Sequence, residues 1–475
     1  MKKVFTAEEI KKLEQMTCEQ KQQDEIEIMY QAGYVLAKDF LSRVMPNINE
    51  EIAVISNVGN NGGDALVMFL ELEKLGYNVK AYLFGNLDNA SIAYIHYLGL
   101  VKKYLEIRDL VEFKKQMSNA KYIIDGIFGI GLDRDVSGDL KFIIKTINDL
   151  EKVVYAIDLP SGIHPDSGLA MGIAMKACYT GVIGNYKLGN FLNDALDYHG
   201  DINLLDIGLL EGYSDVYYLD LKEANIARER IHNSNKYTYG HNAYIGSSVL
   251  PGAINMSALA ALKTGTGLVE VFYDGDIIRF NQDIIYHKFD ESLDMSKFDA
   301  IVFGPGISQI YQPYQEMIDR YADKKKMLID AGGLKYLSKD KKYENVIITP
   351  HIGELSAFTK MSKEEISQNP ISCLRKLAKN GLTVVLKGPT TIVQGQRYTY
   401  LLQAKNTGLA TAGTGDVLAG IISSYMVDDS LVNACVRGVA VHSIAAEYAK
   451  QKFGEVSMTA SDLIDNLYKV WVRKR

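Results

Sequence analysis

The sharpest chemical signal in the 475-residue sequence is Ala412-Gly413-Thr414-Gly415-Asp416-Val417-Leu418-Ala419-Gly420. Gly-Thr-Gly opens a helix whose free N–H groups make an anion hole. Asp416, in the first turn, can take the proton of an attacking hydroxyl while those amides stabilise charge on a transferring phosphoryl group. The plainer alternative is an Asp favoured there by the helix dipole; the flanking glycines weigh against it. Three other turns of the second half can line the same cleft: Gly304-Pro305-Gly306, Thr349-Pro350-His351-Ile352-Gly353-Glu354 and Lys387-Gly388-Pro389-Thr390-Thr391.

Three clusters mark the first half. Gly59-Asn60-Asn61-Gly62-Gly63-Asp64 stands between a strand and a helix. Its glycines let backbone N–H groups approach a ligand, and the helix N-terminus attracts negative charge. Asp125-Gly126 leads into Gly129-Ile130-Gly131-Leu132-Asp133-Arg134-Asp135, where Arg134 suits a bidentate phosphate contact. Asp158-Leu159-Pro160-Ser161-Gly162 closes an apolar strand. A carboxyl desolvated there shifts toward the range useful for proton transfer. Oxygens from Asn61, Asp125 and Ser161 suit a hard monovalent or divalent cation, not zinc. The bland alternative for each cluster is a tight or solvated turn.

These turns need strands to hold them. Apolar runs at 51–58, 78–84, 121–128 and 152–159 predict strands, and 65–75 has helical spacing, with Gly76 at its left-handed end. The second half restarts the pattern, with strands at 242–246, 267–272, 300–303, 327–329, 346–348 and 382–386 and a helix at 256–263. Such alternation means βαβ units and parallel sheets, with ligands outside the carboxyl ends of the strands. The tyrosine-rich, aperiodic stretch 209–235 reads as a connector, so the domains expected are 1–214 and 215–475. Thr6 and Glu9 have the spacing of a capping box.

Lys+Arg 52 against Asp+Glu 58 gives −6, with 47% hydrophobic residues, which excludes global disorder. No apolar run reaches the ~18–20 residues of a membrane span. The acidic balance gives no drive toward nucleic acid. Cys18, Cys178, Cys373 and Cys435 have no metal-ligand spacing, and the first residues have no signal-peptide core, so a cytoplasmic protein with reduced thiols is expected.

Taken in order, these motifs resemble the bifunctional NAD(P)H-hydrate repair enzymes over nearly the whole chain. NNGGD at 60–64, DGIFGIGLDRDVSG at 125–138 and AIDLPSG at 156–162 are similar to NAD(P)H-hydrate epimerase. The second half, from YGHNAYIGSS through FGPGIS, TPHIGEL, LKGPTT and TAGTGDVLAG, is similar to ADP/ATP-dependent NAD(P)H-hydrate dehydratase. The resemblance implies an α/β protein with a Rossmann-like first domain and a ribokinase-like second domain. It implies that the first half interconverts R- and S-NAD(P)HX, with Asp158 as acid/base. Substrate contacts would be Asn60, Asn61, Gly62, Gly63, Asp64, Gly129, Ile130, Gly131, Leu132, Asp133 and Asp135, with a potassium ion (K⁺) on Asn61, Asp125 and Ser161. Arg134 is added on residue type.

The second half would dehydrate the S epimer through a phosphorylated intermediate, with Asp416 as base. Ala253, Gly306, His351 and Asp416 would face the hydrate. Lys387, Gly388, Pro389, Thr390, Thr391, Gly413, Thr414 and Gly415 would hold ADP or ATP, with Mg²⁺ bridging the phosphates. A homo-oligomer is implied too. Ala65, Gly332 and Thr407 depart from the family's usual residues. The alternative is a small-alcohol kinase fused to a non-catalytic binding domain.

Overall fold

Strand–helix alternation fills both halves of the computed structural model, which describes residues 1–107 and 109–472. The chain divides between Ser214 and Asp215 into two units, Met1 falling with the second. The first contains β1 (Lys2–Phe5), β2 (Ile52–Asn57), β3 (Val79–Phe84), β4 (Tyr104–Glu106), β5 (Tyr122–Gly126), β6 (Val153–Ile157), β7 (Tyr179–Ile183), β8 (Tyr186–Lys187) and β9 (Asp201–Leu205). Seven of these form a parallel sheet in the order β4-β3-β2-β5-β6-β7-β9. The chain runs outward from β2 to β4 and then crosses to β5. The reversal between β2 and β5 opens a crevice at the strand carboxyl ends, where such sheets bind ligands.

Both faces of this sheet are covered. Val54 and Ile124 join Leu36, Phe40 and Leu66 in one buried cluster, while Ile55 and Ile123 join Phe113, Ile143 and Ile147 in another. Neighbouring strand residues point to opposite faces, so a doubly covered sheet needs continuous apolar runs. The sequence places the helix after β2 at 65–75, but the structure starts it at Asn60 (Asn60–Lys74). The Asn-Asn-Gly-Gly-Asp run is therefore its first turn rather than a lead-in. Gly62 has to be glycine there: a Cβ would sit 1.8 Å from the Asn57 carbonyl oxygen. The Thr6–Glu9 capping box is present and opens the helix Ala7–Lys21.

The second unit contains β10 (Val216–Tyr218), β11 (His241–Gly246), β12 (Leu268–Tyr273), β13 (Ile285–Lys288), β14 (Ala300–Phe303), β15 (Lys326–Ile329), β16 (Val346–Ile348), β17 (Thr383–Leu386), β18 (Thr390–Gln394) and β19 (Thr399–Gln403). Their order is β13-β12-β11-β14-β15-β16-β17-β18-β19-β10. Pairing is parallel from β13 to β17, and β17, β18 and β19 are antiparallel. The segment expected to be only a connector thus contributes β10, parallel to β19, with Tyr217 stacked on Tyr400. The tyrosines that break the periodicity are cross-strand partners. The helix expected at 256–263 spans Pro251–Thr264, with proline in its first turn where no N–H is needed. It packs against Thr414–Tyr425 closely enough that a Cβ on Gly420 would lie 2.0 Å from the Ser257 carbonyl oxygen. Among the described residues no helix is long and apolar enough to cross a membrane.

Candidate active sites

In the first unit, a cavity of about 1040 Å³ sits over the β2/β5 crevice. Asn60, Asn61, Gly62, Asp64, Gly129, Ile130, Gly131, Leu132, Arg134 and Asp158 line it. Asp133 and Asp135 line an adjoining pocket of about 370 Å³, and Arg134 belongs to both. Gly63 lines neither; it abuts Met29, with space for no side chain.

Asp158 follows β6 with φ +66°, and the Leu159 N–H donates to the Ile157 carbonyl at 2.7 Å. A positive φ under an i→i+2 bond is a γ-turn, a strained conformation for any residue but glycine. Strain of this kind, about 1–3 kcal/mol, persists only where the surroundings hold it. Here the Asp158 N–H donates to Gly181 O at 2.8 Å, and Oδ1 accepts from Ile183 N at 3.0 Å and from the Lys187 ammonium. Lys187 also donates to the Ile183 carbonyl at 2.8 Å. Both side chains are buried, Lys187 to 1% exposure and Asp158 to 6%. Sequence reasoning located Asp158 but missed Lys187, whose only signal is a lysine just past a strand end in GNYKLGN.

Asp64 and Glu14 are among the other carboxyls that line this cavity. Asp64, in the first turn of its helix, is pushed well above the usual carboxylate range by burial, then by the negative charges of Asp158 and Glu14, with Lys187 opposing. Glu14 is also raised, by burial first, with Lys187 lowering and Asp158 raising. Nothing in the sequence singles out Glu14, because it reaches the cavity only when the helix Ala7–Lys21 packs beside the strand ends.

Of the candidate cation ligands, Asn61 lines the cavity, whereas Asp125 and Ser161 are fully buried. Asp125 is fully buried; its carboxylate accepts from Ser161 N at 2.8 Å, Ser161 Oγ at 2.6 Å and Ile127 N at 3.3 Å. Asn61 Nδ2 donates to Phe128 O at 3.0 Å. Burial raises Asp125 to about 6 in spite of those three hydrogen bonds. A fully buried carboxylate whose partners are the neutral Ser161 hydroxyl and two backbone N–H groups fits a hard monovalent cation, which would supply the missing positive charge.

In the second unit the chemistry lies at the carboxyl ends of β15, β16 and β17. Asp330, after β15, is 2% exposed and accepts from Thr349 Oγ1 at 2.8 Å and Lys387 Nζ at 2.7 Å. Lys387 Nζ is also 3.8 Å from Glu354 Oε2. Burial works against the Lys387 ammonium, but Asp330 and Glu354 outweigh it and hold it above its ordinary value. A Cβ on Gly415 would lie 3.3 Å from Lys387 Nζ, so the ammonium sits against the opening turn of the helix Thr414–Tyr425. No side chain caps that helix, and the Thr414 N–H makes only a long contact to Thr411 O at 3.4 Å, so the opening turn can present its amides to an anion. Asp416 is raised to about 7, by burial, then Asp330, with Lys387 opposing and Glu354 adding. A carboxylate titrating there suits general-base work at neutral pH. Behind the turn, His442 Nε2 is 3.0 Å from Thr414 O, and burial lowers its pKa to about 4, so it is neutral and donates.

Other residues of this site are less uniform. Gly306, with φ +78°, touches Leu250, which precedes the helix carrying Ala253, and Met256 of that helix lies against Gly413. His351 caps the helix Ile352–Thr359: Nδ1 accepts from Gly353 N at 3.0 Å and Glu354 N at 3.2 Å, so only Nε2 is left for a ligand. Lys387 to Thr391 is a tight hairpin rather than an open loop. Only Gly388 and Pro389 are exposed, and Thr390, buried in β18, accepts from Gln403 Nε2 at 3.0 Å. Thr414 Oγ1 turns back to Leu409 O and Thr411 O, which leaves the backbone, not the hydroxyl, for a phosphate. Asp330 and Glu354 stand inside motifs the sequence displayed, yet only the fold shows that they meet Lys387. At Gly332 a Cβ would collide with Ile307 O at 1.7 Å, so glycine is required there.

Two family profiles match the chain: one described as YjeF-related protein N-terminus over 25–189, and one described as NAD(P)H-hydrate dehydratase over 244–469. A bifunctional NAD(P)H-hydrate repair enzyme of Dictyoglomus turgidum is 32% identical over 97% of each chain. One of Coxiella burnetii is 30% identical over 93% of this chain and 94% of its own. The solved ADP/ATP-dependent NAD(P)H-hydrate dehydratase from Bacillus subtilis, co-crystallised with ATP and Mg²⁺, is 24% identical, with TM-score 0.47 over 53% of this chain and 95% of its own.

Proposed function

The chain belongs to the bifunctional NAD(P)H-hydrate repair enzymes, and on that premise we propose that its two units divide the repair between them. The first epimerises R- and S-NAD(P)HX and the second dehydrates the S epimer at the expense of ADP or ATP. One observation carries this division: each unit has its own strand-end site with a carboxylate set for proton transfer, Asp158 over the first cavity and Asp416 beside an uncapped helix.

In the first site Asp158 works as acid/base at the hydroxyl-bearing carbon, with Lys187 fixing its carboxylate. The Asn60–Asp64 turn and Arg134 hold the dinucleotide, Arg134 pairing with a phosphate. Asn61, Asp125 and Ser161 would hold K⁺, which supplies positive charge beside the substrate. In the second site Asp416 takes the proton of the hydrate hydroxyl as its oxygen attacks the terminal phosphorus. The amides of Gly413, Thr414 and Gly415 stabilise the transferring group. The C–O bond then breaks with phosphate, a far better leaving group than hydroxide, and loss of a ring proton restores the double bond. Lys387 stands beside the phosphate turn. Mg²⁺ carried with the nucleotide would neutralise phosphate charge there; among the described residues no cluster of three His, Cys, Asp or Glu forms a metal cage.

The test is a time course on mixed-epimer NADHX with Mg²⁺, K⁺ and ADP or ATP, following NADH absorbance and resolving the epimers by chromatography. Asp158→Asn is expected to leave the R epimer unconverted while the S epimer is still consumed. Asp416→Asn is expected to stop nucleotide-dependent dehydration alone. Loss of both activities in either variant refutes separate sites.

A further inference from the structure

Glu14 enters the first cavity from the helix Ala7–Lys21, an element outside the sheet, whereas Asp158 and Lys187 enter from strand ends. Among the described residues its carboxylate has no hydrogen-bond or ion-pair partner, although it interacts electrostatically with both Lys187 and Asp158. A carboxyl turned into a cavity, raised by burial and left unpaired by its own protein, is available for a ligand.

The chemistry of inversion asks for such a group. Water adds to the dihydronicotinamide enamine with its oxygen on the carbon bonded to the ring nitrogen. One route to inversion at that carbon breaks the C–O bond and re-forms it on the other face; the other, opening of the C–N bond to an aldehyde and reclosure, needs no second carboxyl. A proton given to the hydroxyl lets it leave as water while the nitrogen lone pair forms C=N⁺. Water then attacks the opposite face and gives up one proton. On the C–O route one carboxyl donates and another accepts, each from its own side of the ring, so a single carboxyl does not serve both faces.

We propose that Glu14 is the second proton-transfer residue of the epimerisation, serving one face of the ring from the helix wall while Asp158 serves the other. The inference rests on the epimerase reading of this site. The roles exchange with the epimer being inverted: one proton leaves one carboxyl, one arrives at the other, and exchange with solvent restores the start. The charged groups sharing the cavity with Glu14 are Asp158, Lys187, Asp64, Arg134, Asp24 and Glu25 and, on its own helix, Lys11 and Glu19.

The experiment uses the full-length protein without nucleotide, so that dehydration is silent, with S-NADHX in H₂¹⁸O. Chromatography and mass spectrometry follow inversion and label across pH. The wild type is expected to incorporate one ¹⁸O per inversion above the unaided background. Glu14→Gln is expected to slow inversion about a hundredfold and remove one limb of the pH profile, with partial rescue by Glu14→Asp. Native-state hydrogen exchange on the β6 and β7 amides reports that the first unit of each variant is folded. Inversion without label overturns the proposal, as does Glu14→Gln within threefold of wild type with an unchanged profile. A loss found in Asp64→Asn and not in Glu14→Gln overturns it as well and moves the role to Asp64. A wild type that does not epimerise at all refutes the function assigned to the first site, a result distinct from an active wild type with an active Glu14→Gln.

Discussion

Replacing Lys187 by methionine tests whether the γ-turn at Asp158 is held by charge. Lys187 is 1% and Asp158 6% exposed, so solvent screens their contact little. Removing one partner of a buried pair leaves an uncompensated charge and costs about 3–5 kcal/mol. The lost bond to the Ile183 carbonyl, 2.8 Å in the native site, adds about 1 kcal/mol. Asp158 keeps only its bond from Ile183 N, and the strain of a positive φ at a non-glycine residue remains. The expected loss is therefore about 4–6 kcal/mol. Lys187→Met with Asp158→Leu is expected to recover more than half of it, because two apolar groups leave no buried charge. A chain of two units has no single unfolding free energy. Native-state hydrogen exchange on the β6 and β7 amides in urea therefore measures the first sheet alone. A single-variant loss below 1 kcal/mol, or a double variant as damaged as the sum of the singles, would refute the reasoning.

The dehydration rate at saturating substrate is expected to rise with pH through about 7 and then level, because Asp416 must be ionised to accept a proton. A rate already maximal at pH 5 would exclude it as the base. Exchanging K⁺ for choline at equal ionic strength should slow epimerisation and leave dehydration unchanged, and equal slowing of both would place the cation elsewhere. Gly62→Ala puts a Cβ 1.8 Å from the Asn57 carbonyl oxygen and is expected to destabilise the first unit by about 1–3 kcal/mol, read by the same hydrogen exchange. Wild-type protection in that variant would mean the turn yields freely.

The sequence by itself determined what depends on local order. Apolar runs ending in Gly, Asn or Asp turns specify β2, β5, β6 and the parallel sheets, because a doubly covered strand has to be apolar on both faces. Asp158 stands out because it closes such a run, and Asp416 because it sits in the opening turn of a helix among glycines. Proximity across the chain is different. Glu14 and Asp158 lie on elements whose packing leaves no trace in residue spacing, and Lys387 meets Asp330 through the adjacency of strands far apart in sequence. The start of the helix at Asn60 and the pairing of β10 with β19 were likewise decided by packing, which overrides weak local propensity. The charge states followed from that packing. Nothing in the sequence announces the raised values of Asp64, Asp125 and Asp416, which burial and their neighbours set.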